Sequence, residues 1–169
     1  MTELTEASLT RVWQHAESPD TDFAILTAFR GEYAYEDNVK RNRSLAADLR
    51  SEGYGFFYLD GYWIENEGTD DERRVKEDSL FVITKRDQGF ARTIHTLGNR
   101  FDQEAVVVKD RSGTRLIFKD GSEQELGRLR PGGLGGIYSQ IRKKKSSTFV
   151  FETERDDLGW IGRLAGITR

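Results

Sequence analysis

A chain with no cysteine and only two histidines, His15 and His95, has few side-chain types with which to do chemistry. Disulfides, thiolate nucleophiles and thiolate-bound metals are excluded, so catalysis must lean on carboxylates, tyrosines, lysines, arginines or the backbone. These types fall together in one stretch, residues 53–83, reading GYGFFYLDGYWIENEGTDDERRVKEDSLFVI. Here Tyr62 and Trp63 follow a run of aromatic residues, and Glu77 and Asp78 stand at the mouth of the apolar run 79–84. Carboxylates beside aromatic faces form a wall suited to a cationic small molecule, because both stabilise positive charge. The bland alternative is that the rings are packing residues of a core or sheet edge and the carboxylates are solvated. His95 stands alone, without a second ligand near it, and reads as a partly exposed helix residue rather than a base or a metal ligand. No metal and no cofactor is expected.

The elements that must position these residues are read from periodicity. Asp60-Gly61 lies between two runs of strand formers, which predicts a hairpin turning there. A polar loop over 66–76 and a strand over 79–84 follow. The near-continuous apolar run 23–29 fits a central strand covered on both faces, with Arg30 at its carboxyl end. Val39, Leu45, Ala46 and Leu49 have helical spacing, and Gly53 just beyond them is the expected stop. Phe90, Ile94, Leu97 and Phe101 mark a second helix over 87–101 with one apolar face. Strands over 104–109 and 114–119, joined at Ser112-Gly113, come next, then a turn at Asp120-Gly121 and a closing strand at 148–151. Strand, helix, strand, strand, helix, strand is the split β-α-β order. It predicts an α+β fold, ferredoxin-like, with helices on one face of an antiparallel sheet and extra hairpins.

With 169 residues, 33% of them charged, the chain suits one soluble domain. Its expected parts are a leader helix over 1–21, a core over 22–153 and a tail over 154–169 carrying Trp160 and Ile161. The absence of a signal pattern, or of any apolar run near the ~20 residues of a spanning helix, predicts a cytoplasmic protein with no membrane partner. A formal charge of −3 argues against a nucleic-acid partner, whose binding surface is usually strongly basic. The glycine-rich segment 131–136 lacks the lysine and hydroxyl of a phosphate loop and reads as a surface or ligand-covering loop. The basic cluster 142–145 reads as a solvated flank of the strand after it.

The whole layout resembles the phage S-adenosylmethionine lyases, formerly called hydrolases. The similarity runs from the strand ending Ala28-Phe29-Arg30, through a helix with Asn38, Arg43 and Leu49-Arg50, to Gly53–Gly55. It continues with Gly61-Tyr62-Trp63 and Glu65, Glu77 before residues 80–83, Asp102-Gln103 before Ala105, Arg128-Leu129 before Pro131-Gly132, and the strand at 148–151, covering about residues 22–153. The resemblance implies a homotrimer with sites between subunits, and cleavage of S-adenosylmethionine to methylthioadenosine and homoserine lactone, which starves restriction–modification enzymes. It implies a catalytic glutamate and tyrosine. Glu77 matches the glutamate; for the tyrosine, Tyr62 is the chemical match and Trp63 the positional one. Tyr54, Phe56, Trp63 and Arg30 are the expected substrate-binding residues. The other class the residues allow is a module that binds an adenine-containing nucleotide or S-adenosylmethionine without turnover.

Overall fold

The computed structural model describes residues 17–65, 68–127 and 148–151. In chain order these form β1 (Thr21–Leu26), α1 (Tyr35–Ser51), β2 (Gly55–Glu65), β3 (Arg73–Lys85), α2 (Phe90–Arg100), β4 (Ala105–Asp110), β5 (Gly113–Phe118), β6 (Glu123–Glu125) and β7 (Thr148–Phe151). The strands make one sheet in the order β6-β5-β4-β1-β3-β2-β7, and every pairing is antiparallel. The inner order β4-β1-β3-β2 is the one that two interleaved β-α-β units produce, so the expected α+β class and antiparallel sheet are what is found.

Both helices lie on one face. Ala24, Leu26, Leu80, Val82, Val106, Val108 and Ile117 from the sheet form a single core with Leu45, Ala46 and Leu49 of α1 and with Phe90, Ile94, Leu97 and Phe101 of the α2 region. The four-residue apolar stripe predicted for the second helix is therefore its buried side. The other face of the sheet is apolar too: Phe23, Ile25, Phe81, Val107 and Leu116 are all at most 3% exposed. Burial on both faces is why β1 reads as a continuous run rather than an alternating one. Gly53 stops α1 with φ at 83°, a conformation that costs glycine little, while the Tyr54 amide donates back to the Leu49 carbonyl.

The expected hairpin at Asp60-Gly61 is not there. β2 runs straight through it, with Asp60 paired to Asp78 and Gly61 to Glu77, and the ladder continues to Glu65 opposite Arg73. The chain reverses further on, where Gly68 takes φ of 77° and donates its amide to the Glu72 carboxylate. A local turn signal yielded to an eleven-pair ladder, whose backbone bonds outweigh the preference of one dipeptide. For the same reason the expected loop over 66–76 is shorter and β3 longer: Arg73 to Lys76 are the beginning of a strand, exposed except for the half-buried Val75. The leader helix up to residue 16, the glycine-rich segment, the basic cluster and the tail from 154 lie outside the described residues.

Candidate active site

Glu77 was expected ahead of a strand and lies within one. It sits in β3 and is only 2% exposed. Strand alternation and cross-strand register assign each neighbour to a face. Glu77 shares its face with Ser79 and Phe81 on β3, with positions 59, 61 and 63 on β2, and with positions 149 and 151 on β7. Gly61 is its direct cross-strand partner. Position 63 is thus on the Glu77 face and diagonal to it, whereas position 62, opposite Lys76, is on the helix-bearing face. The expected pairing of Glu77 with Asp78 is undone by the same alternation, since Asp78 faces the side of Leu80 and Val82.

On the helix-bearing side, Asp78 accepts a hydrogen bond from the Tyr35 hydroxyl at 3.2 Å, and the Lys76 ammonium lies 5.4 Å from the Tyr35 ring centre. Tyr35 also packs edge-on against Phe29, at 5.8 Å between ring centres. Beyond Leu26 the chain makes a loop that is tied down by amide side chains of α1. Asn38 accepts from the Arg30 amide and donates to the Arg30 carbonyl, both at 2.9 Å, and Asn42 accepts from the Ala28 amide at 2.7 Å. Arg41 donates to the carbonyls of Ala28 and Phe101 and lies 4.9 Å from the Tyr33 ring centre.

Three of the expected substrate-binding residues are placed elsewhere within the chain or otherwise engaged. Tyr54 is 8% exposed, donates to Asp87 at 2.8 Å and packs edge-on against Phe90. Burial, then the Asp87 carboxylate, push its phenol up to about 12, and it joins the opposite end of the ladder, roughly 20 Å along the strand from Glu77. Phe56 is opposite Val82 on the helix-bearing face, under the Arg50 guanidinium at 4.9 Å. Both serve the core rather than the Glu77 face. Arg30 is ion-paired with Glu32 at 2.5 Å and with Asp102 at 3.0 Å, and its pKa is raised first by the hydrogen bond to Glu32. The Asp102 carboxylate also holds Lys119, and these cations keep it below the usual carboxylate range. His95 contacts the Phe118 carbonyl at 2.8 Å from its place on α2, a structural role.

Residues that sequence reasoning missed are Thr27, Asn42 and Tyr35, which converge on Asp78. A signal for Asn42 was present: Asn38, Asn42, Leu45 and Leu49 fall on one helical stripe, so both amides lie on the buried side.

The fold and site define an α+β protein that sinks a carboxylate into its sheet across from a glycine. The chain belongs to the S-adenosylmethionine lyase family, whose model matches residues 24–157. It is similar to a solved phage SAM lyase in complex with S-methyl-5′-thioadenosine, at 21% identity over 62% of this chain and 84% of that one, with a TM-score of 0.30. The same figures, with 83% of that chain covered, hold for a phage SAM lyase in the apo state. No curated protein matches the chain.

Proposed function

We propose that this chain degrades S-adenosylmethionine as a lyase, releasing methylthioadenosine and homoserine lactone. The observation that carries the reading is the family match over residues 24–157, within which the expected glutamate is a buried strand residue. The substrate's carboxylate attacks its own carbon next to sulfur; a carbon–oxygen bond forms, the carbon–sulfur bond breaks, and its electron pair neutralises the sulfonium. No proton moves and no protein nucleophile is consumed. The protein's task is to hold the folded conformer out of water, where an intramolecular attack gains most from orientation.

In this reading Glu77 fixes the positive groups of the substrate. The sulfonium is a soft cation that an aromatic face holds with about 0.5–2 kcal/mol, and Trp63 is the candidate because register puts its position on the Glu77 face. Tyr62, on the other face with Lys76 and Asp78, is the less favoured bearer of the tyrosine role. The protein acts as a homotrimer with sites between subunits, and its cellular use is to deprive restriction–modification enzymes of their methyl donor. Light scattering at micromolar concentration should give three times the 19.4 kDa chain mass; a monomer mass contradicts the assembly. Incubation with S-adenosylmethionine and mass spectrometry of the products tests the activity itself: methylthioadenosine is expected, and intact substrate overturns the reading.

A further inference from the structure

β1 ends at Leu26, opposite Leu80, but β3 continues for seven more residues toward its start at Arg73. Along that extension β3 has β2 on one side and no β1 ladder on the other. At Asp78 the missing ladder bond is replaced by side chains: its carbonyl accepts the Thr27 hydroxyl at 2.7 Å and the Asn42 amide at 2.9 Å. Asn42 in turn accepts the Ala28 amide at 2.7 Å, and the Thr27 oxygen accepts the Phe29 amide at 3.1 Å. Thr27 is 5% and Asn42 2% exposed, so these bonds form away from water, where an unmade one is costly.

We propose that Thr27 and Asn42 are positioning residues that clamp the Asp78 carbonyl and thereby hold the neighbouring Glu77 on its face of the sheet. The inference rests on the lyase reading for its consequence in turnover, but the clamp itself is geometric. A strand has no freedom to twist at residue 78 without rotating residue 77 off its face. The same two side chains tie the loop after β1 to β3, so the loop and the carboxylate keep one relative position.

Thr27→Val removes the hydroxyl at nearly constant shape, and Thr27→Ser restores it. Thr27→Val should lower kcat by about 10-fold or more with KM within about 2-fold, as expected for a reacting arrangement displaced by a fraction of an ångström. Thr27→Ser should regain most of the wild-type rate. Amide exchange at residues 77–79 should quicken in Thr27→Val and not in Thr27→Ser. Wild-type turnover in Thr27→Val, or equal loss in Thr27→Ser, overturns the clamp. If Thr27→Val does not fold, Asn42→Asp, which keeps the acceptor for Ala28 and loses the donor to Asp78, must show the same fall in kcat. If wild-type protein yields no product, the lyase reading falls and exchange alone decides: unchanged exchange at 77–79 then refutes the clamp.

Discussion

Glu77 differs from the other acidic residues of its neighbourhood in place rather than in type. Asp70, Asp71 and Glu72 are exposed in the reversal between β2 and β3, whereas Glu77 is buried in the ladder opposite a residue without a side chain. A glycine inside a strand leaves the backbone bare for close approach, and the proposed role of Glu77 is to meet a positive group of the substrate on that face. Removing the charge at constant shape should therefore separate chemistry from folding. Glu77→Gln should cut turnover by roughly 10²–10³-fold, in the range found when one stabilising group of a reacting site is lost, with the thermal midpoint near wild type. Glu72→Gln, at an exposed turn residue, should change neither. Equal rates in Glu77→Gln and wild type would sink the role given to this carboxylate. That Glu77 adjoins the apolar run 79–84 was legible in the sequence; that it lies inside the strand, and on which face, was not, since one register shift exchanges the neighbours of every residue. Nor did the sequence separate Tyr54 and Phe56 from it. Aromatic residues look alike in sequence, and only the ladder shows that Tyr54 caps the far end of the core.

Among the elements, α2 shows how closely helix and sheet approach. A Cβ placed on Gly98 would meet the Val106 Cγ1 atom at 2.6 Å, well inside contact distance. Gly98→Ala should raise helix propensity by up to about 1 kcal/mol, yet overpacking of this kind costs about 1–3 kcal/mol. The clash should win, because Val106 is 2% exposed and its branched side chain has little room to turn. The expected result is a lower thermal midpoint, by roughly 2–4 °C for each kcal/mol, recovered in part by adding Val106→Ala. A more stable Gly98→Ala protein would show that the helix can shift away. The helix itself was plain from Phe90, Ile94, Leu97 and Phe101, whose spacing survives any neighbour. The straight run of β2 through Asp60-Gly61 was not, since a dipeptide preference is local while pairing with β3 and β7 is set by residues far along the chain. β6, three exposed residues reading EQE, carries no pattern that could have announced a strand.

At the scale of the whole molecule, the order of elements was the most legible feature. β1 as a central strand and both helices on one face followed from a continuous apolar run and two apolar stripes, which are properties of segments. The tether between Thr27, Asn42 and Asp78 was hidden because it joins residues 36 to 51 positions apart through two polar side chains and a backbone carbonyl, for which apolar periodicity gives no signal. Among the described residues no helix is long and apolar enough to cross a membrane. The family gives the chain its reaction class, and the sheet holds a buried carboxylate, Glu77, to which the proposal gives a part in that reaction. What separates an intramolecular displacement from attack by water is the source of one oxygen atom. In ¹⁸O-labelled water the intramolecular route yields methylthioadenosine and a lactone without label; later opening of the ring at its carbonyl places ¹⁸O in the carboxyl group and leaves the side-chain hydroxyl unlabelled. Mass spectrometry of the products from S-adenosylmethionine should show that pattern. Homoserine labelled at its hydroxyl, or substrate that is bound and recovered intact, would contradict the lyase account.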